Sequence, residues 1–82
     1  MDKFTVELTV ANYCGVLNRI TGLYSRRGYN IDSLHVNETD NPESSRILIT
    51  SKGDEYIQTQ IVRQLKKLHD VQEVILMTQQ KQ

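Results

Sequence analysis

The sequence lacks the features that mark several large classes of protein. It contains a single cysteine, Cys14, so no disulfide can form within the chain, and this usage fits a reducing compartment. No apolar run approaches the roughly 20 residues that span a bilayer, and no signal peptide is visible. We therefore expect a cytoplasmic protein with no membrane partner.

The sequence also lacks an excess of positive or negative charge. Ten basic and ten acidic residues give a formal net charge of zero, whereas nucleic-acid-binding domains usually carry a basic stripe. RNA recognition would need exposed aromatic side chains on a sheet, but the first predicted strand presents Thr5, Glu7 and Thr9. We therefore expect no nucleic-acid partner.

What the chain does contain is a regular succession of hydrophobic periods. Residues 4–10 alternate with period two, which predicts a strand, and residues 16–27 follow helical spacing with Leu17, Ile20, Leu23 and Tyr24 inward. Gly28 would end that helix. Further strands are predicted at 29–37, 45–51 and 71–77, with a suspected bulge near Asp32-Ser33. A second helix follows Asp54, with Ile57, Ile61, Leu65 and Leu68 as its buried stripe.

The order of these elements is β-α-β-β-α-β. Two split βαβ units with right-handed crossovers give a four-stranded antiparallel sheet with both helices on one face. The sequence therefore predicts an α+β fold of the ferredoxin-like type. We expect one domain over residues 1–82, with a core at about 3–78 and a frayed tail at 79–82.

One corner of this fold could receive a small ligand. Between the first strand and the first helix, Gly15 permits a sharp turn, and the backbone amides of Gly15, Val16 and Leu17 are donors at a helix start. Asn12, and Asn30 on the following strand, add polar groups suited to an α-amino acid. A purely structural interpretation stays open, in which Asn12 caps the helix and Gly15 only turns the chain.

Catalytic interpretations have less support. A nucleophilic Cys14 would need His35 or His69 beside it with a third orienting group, and nothing in the spacing provides one. A metal site needs at least three ligands, and Cys14 is isolated. Acylphosphatase-like chemistry needs a basic residue in the first loop, and residues 11–16 contain none.

The segment from Asn12 to Leu34 follows the pattern N-x-x-G-V-L-x-R-I-x-G-L-(Y/F)-S-x-R-G-Y-N-I-x-S-L. This pattern closely resembles the ACT domain of the small, regulatory subunit of acetohydroxyacid synthase (acetolactate synthase). Other stretches also resemble that family, namely S-R-I at 45–47, G-D-E at 53–55 and Q-L-x-K-L-x-D-V at 64–71. The resemblance covers nearly the whole chain.

The resemblance implies a regulatory chain that is not itself an enzyme. Family members pair side by side, and a branched-chain amino acid, usually valine, binds at the interface. We predict a homodimer that joins edge strands into one eight-stranded sheet. The catalytic large subunit holds thiamine diphosphate, Mg²⁺ and FAD, so this chain is expected to hold no cofactor or metal. Carried over by motif, the effector-binding residues are Asn12, Gly15, Val16 and Leu17 from one protomer and Asn30 and Ile31 from the facing one.

The sequence departs from the family pattern at two points. Ala11 stands where many members carry an acidic residue, and the second domain of many members is absent. The chain therefore resembles either an ACT-only small subunit or an excised domain. The alternative function is an ACT-type amino-acid sensor for a different enzyme or transporter.

Overall fold

The structure, a computed structural model, describes residues 3–11 and 15–78. Its elements are β1 (Lys3–Ala11), α1 (Val16–Arg26), β2 (Ser33–Glu38), β3 (Ser44–Lys52), α2 (Glu55–Lys66) and β4 (Val71–Thr78). The strands form one antiparallel sheet in the order β2-β3-β1-β4. The predicted ferredoxin-like fold is confirmed. Within the described ranges, neither helix combines the length and the apolar character needed to cross a bilayer.

The core lies between the helices and one face of the sheet. Alternation along β1 directs Phe4, Val6 and Leu8 into this layer, and each is fully buried. Across the sheet, β3 supplies Ile47 and Ile49 in register with β1. Among the residues that the structure describes, the buried apolar side chains are Phe4, Val6, Leu8, Val10, Val16, Ile20, Leu23, Tyr24, Ile47, Ile49, Ile61 and Leu65.

The end of α1 and the start of α2 fall at residues that commonly terminate or begin helices. The helix α1 stops at Arg26, and Gly28 follows with φ of +73°, the left-handed conformation that glycine adopts without strain. At the start of α2, Oδ1 of Asp54 accepts a hydrogen bond from the backbone N–H of Ile57 at 3.0 Å. Both sequence assignments are confirmed.

The prediction for the second strand was partly wrong. The strand β2 begins at Ser33, because the backbone N–H of Tyr29 bonds to the carbonyl of Tyr24 and so belongs to the exit turn of α1. Pairing with β3 is then regular from Ser33 to Glu38, without the suspected bulge. The irregularity in register falls instead between β1 and β4, at Thr9/Val10.

Two predicted core residues also differ in position. Val16 takes the inward place at the start of α1, whereas Leu17 is 39% exposed. Leu68 packs against the core from the turn beyond α2, which ends at Lys66. Exposure of Leu17 matters because it leaves an apolar side chain at the corner of interest.

The outer strands of the sheet are β2 and β4. Register with β3 directs Leu34 and Val36 toward the helix layer and His35 toward the open face. Register with β1 likewise directs Leu76 toward the helix layer. Each edge therefore presents an apolar side chain beside a helix.

Candidate functional site

The corner between β1 and α1 is built around Gly15. Its φ of +90° and ψ of −13° lie in the left-handed region that favours glycine. A Cβ atom at this position would meet no described heavy atom within 4 Å, so the space beside the backbone is open. Gly15 therefore turns the chain and leaves the helix start approachable.

The first backbone amides of α1 have no hydrogen-bond partner within the helix. The first hydrogen bond within the helix runs from the N–H of Arg19 to the carbonyl of Gly15, at 2.9 Å. The amides of Val16 and Leu17 come before Arg19 and therefore take no part in the helical hydrogen bonds. No acidic side chain lies in the first turn of the helix. These donors and the helix dipole together favour an anion, such as a carboxylate.

A pocket of about 180 Å³ lies directly beside this helix start. That volume is roughly six times the volume that one molecule occupies in liquid water, so the pocket suits a small side chain. None of its described lining residues is charged, and Val36 at its rim is half exposed on the edge strand β2. The lining residues are Val10, Ala11, Val16, Leu17, Val36, Ser45 and Ile47.

The site residues predicted from the sequence are only partly brought together within one chain. Gly15, Val16 and Leu17 lie at the corner, and the last two line the pocket. Asn30 and Ile31 precede Asp32, whose backbone N–H bonds to the carbonyl of Thr50. The pocket lies beside Ser45 instead, which is five residues, or roughly 16 Å, along β3 from Thr50. Asn12 lies outside the described residues.

Asp70 is a residue of this corner that sequence reasoning missed. Its buried carboxylate forms an ion pair with Arg19 on α1, and its backbone carbonyl accepts a hydrogen bond from the N–H of Ala11 at 2.9 Å. Asp70 therefore ties together the end of β1 and the first turns of α1, the two segments that flank the corner. The available signal was its place in the Q-L-x-K-L-x-D-V stretch.

The catalytic alternatives gain no support from the described geometry. His35 points to the open face of the sheet, away from the pocket on the helix side, and His69 lies in the turn before β4. Over residues 3–11 and 15–78, no three His, Cys, Asp or Glu side chains are grouped to hold a metal. Cys14 lies outside those ranges.

Comparison with known proteins identifies the class. The sequence model of the protein family described as "AHAS small subunit-like ACT domain" matches residues 6–73 of this chain. The crystal structure of the acetolactate synthase small subunit from Thermotoga maritima is similar, with a TM-score of 0.87 and 37% identity over 93% of this chain and 47% of that one. The chain therefore belongs to the AHAS small subunit-like ACT domain family.

Individual relatives carry the same description. The chain is 48% identical over 66 residues to the acetolactate synthase isozyme 3 small subunit of Escherichia coli K12, covering 80% of this chain and 40% of that protein. It is 50% identical over 74 residues to the chloroplastic acetolactate synthase small subunit 2 of Arabidopsis thaliana, covering 90% and 16% respectively. The chain thus spans less than half the length of these relatives.

Proposed function

We propose that this chain is a regulatory element of acetolactate synthase that binds a branched-chain amino acid, valine first, at the β1–α1 corner. In this role the chain performs no chemistry itself. The catalytic large subunit carries out the reaction, and occupancy of the corner changes the activity of that subunit. Membership of the small-subunit ACT family supports acetolactate synthase as the enzyme that this chain would regulate.

The observation that carries the ligand assignment is the pocket beside the start of α1. The amides of Val16 and Leu17 would receive the carboxylate of an amino acid, and the neighbouring apolar walls would receive its side chain. Val16, Leu17 and Val36 offer no partner for a charged or hydrogen-bonding side chain. An aliphatic amino acid of small volume meets these conditions.

A second copy of the chain would complete the site. Asn30 and Ile31 directly precede Asp32, which bonds to Thr50 at the far end of β2 from the pocket. An antiparallel pairing of two β2 strands (Ser33–Glu38) reverses the direction of one strand and would join the sheets into one of eight strands. The residues that precede Ser33 in one copy, Asn30 and Ile31 among them, would then lie toward the Glu38 end of the other copy, which is the pocket end. The unpaired backbone groups of an edge strand favour this addition.

A ligand held between two copies can act as a regulator. It binds the paired arrangement and not the separated one, so it shifts the population toward the pair. A large subunit that distinguishes the two arrangements would respond with a change in activity. The proposal therefore requires both valine binding and its dependence on dimerisation.

Two substitutions of Gly15 test the site. Gly15→Asp places a carboxylate where the ligand carboxylate would lie, and two such charges about 4 Å apart repel by roughly 4 kcal/mol at an effective dielectric constant of 20. After allowance for solvent exposure, we expect valine affinity to fall by at least about 100-fold. Isothermal titration calorimetry measures this directly.

Gly15→Ala is the matched control. It also forces a non-glycine residue into the left-handed conformation at φ of +90° but adds only a methyl group, which enters open space. We expect a loss of stability of about 1–3 kcal/mol and a valine affinity within about tenfold of the parent protein. Equal affinity for valine in the parent and the Asp variant would show that the corner is not the binding site.

A further inference from the structure

The outer strand β4 exposes three consecutive apolar side chains. Ile75, Leu76 and Met77 are 42%, 40% and 39% exposed. Register with β1 directs Leu76 toward the helix layer, and Ile75 and Met77 toward the open face. An edge strand that carries exposed apolar residues instead of lysine or proline is unprotected against the addition of another strand.

A groove of about 320 Å³ runs beside this edge, between β4 and α2. Val62 and Leu76 supply apolar surface, while Arg63 and Lys66 stand on the helix side, together with Thr59. In the described part of the chain, neither Arg63 nor Lys66 forms an ion pair. The groove thus combines an apolar wall with two cations available to an incoming carboxylate.

We propose that the β4 edge is the docking site for an extended segment of the catalytic large subunit. The segment adds to β4 as a further strand, rests an apolar side chain against Leu76 and Val62, and directs a carboxylate to Arg63 and Lys66. Strand addition supplies backbone hydrogen bonds, and the groove supplies side-chain specificity. This inference rests on the proposed function, because that function requires contact with the large subunit.

Charge argues against a second copy of this chain as the occupant. An antiparallel β4–β4 pair would place the two α2 helices side by side, so that Arg63 and Lys66 of each copy faced the same cations of the other. Like charges brought together at an interface oppose association. If β2 is used for the homodimer, β4 lies at both outer ends of the eight-stranded sheet, where another subunit can reach it.

Adjacent lysines provide a matched test. Lys66 lines the groove, whereas Lys67 follows it at the end of α2, is exposed and lies outside the groove. The binding of each variant to the purified catalytic large subunit is measured by surface plasmon resonance. We expect Lys66→Glu to weaken binding by about tenfold or more and Lys67→Glu to change it by less than about twofold. Equal weakening by both variants would overturn the docking site.

Hydrogen exchange of the β4 amides is the second measurement. Strand addition predicts that outward-pointing amides of residues 72–77 become protected when the large subunit is added. Binding of the large subunit with unchanged exchange in β4 would overturn this inference and leave the proposed function intact. Failure of the parent protein to bind the large subunit would overturn both. Protection that rises with concentration of this chain alone would assign the edge to a second copy.

Discussion

On the β2 side, the described lining of a groove of about 180 Å³ between α1 and the sheet edge consists of apolar side chains and one serine. On the β4 side, a groove of about 320 Å³ between α2 and the opposite edge includes Arg63 and Lys66. Val36 and Leu76 hold equivalent positions in the two grooves, since both face the helix layer from an edge strand. The same architecture therefore presents two chemically different edges.

Under the proposed function, the difference in charge between the two grooves would keep two partners apart. A groove without charged lining residues can meet its own copy across a two-fold axis without repulsion, whereas a groove that carries two cations favours a different chain with carboxylates. The amide donors at the start of α1 lie beside the uncharged groove. Under the proposed function, effector and homodimer share the β2 edge and the large subunit takes the β4 edge.

The largest expected effect comes from placing a lysine on each edge in turn. Val36→Lys puts a charge into the uncharged groove, and we expect the dimer dissociation constant to rise by at least about 100-fold, or roughly 2.7 kcal/mol. Leu76→Lys should leave the dimer unchanged and weaken binding to the large subunit. Sedimentation velocity over a concentration series measures the first effect. Loss of the dimer in Leu76→Lys alone would reverse the assignment of the edges.

Substitution of Asp70 tests whether the two edges are independent. Asp70 precedes β4, yet its carboxylate pairs with Arg19 of the helix on the β2 side. Asp70→Asn replaces a charge-assisted bond, so we expect the free energy of unfolding to fall by about 1–3 kcal/mol, with weaker valine binding. Denaturant unfolding and calorimetry measure the two effects.

Asp54→Asn is the control for that substitution. Asparagine caps a helix as well as aspartate does, so its effect on stability should be within about 0.5 kcal/mol. Unchanged valine affinity in Asp70→Asn would show that the ion pair supports the fold without positioning the β1–α1 corner.

The smallest effect is expected beneath α1. The hydroxyl of Tyr24 is buried and finds no hydrogen-bond partner among the described residues, whereas Nε2 of the buried Gln58 in α2 donates to the carbonyl of Gly53 at 3.0 Å. Burial raises the pKa of Tyr24 above its ordinary range, with a further contribution from Tyr29, whose ring packs edge-on at 6.0 Å. The two helices thus differ in whether a buried polar side chain, Tyr24 in α1 or Gln58 in α2, has a hydrogen-bond partner among the described residues.

Removal of that hydroxyl tests the difference. Tyr24→Phe deletes a polar atom that lacks a partner, so stability should be unchanged or higher by up to about 1 kcal/mol. Tyr56→Phe, at an exposed position, should change nothing. Chemical denaturation of both variants provides the comparison. A loss of more than about 1 kcal/mol in Tyr24→Phe would indicate a partner for the hydroxyl.

Much of the fold could be predicted because its signals are local. Alternation in β1, the glycine after α1 and the aspartate before α2 each act within a few residues, and all were located correctly. The start of β2 was misplaced because hydrophobicity does not separate an exit turn packed on the core from a strand. Leu17 was misassigned because helical spacing alone does not determine which of two adjacent apolar residues faces inward.

The candidate site was less predictable, because it depends on contacts between distant segments. Gly15, Val16 and Leu17 could be found from a single motif, and the structure describes them at one corner. The link from Asp70 to Arg19 spans 51 positions, and no local pattern shows it. The contribution of Asn30 and Ile31 stays a prediction that depends on a second copy.

Hydrophobic period and helix-terminal residues were sufficient to establish the elements, their order and the side of the sheet that is buried, since these follow from interactions among near neighbours. The character of the two edges required the folded chain. Val36 and Leu17, or Leu76 and Arg63, become neighbours only when register and helix packing bring separate segments together. Charge and shape at a groove are properties of that assembled surface.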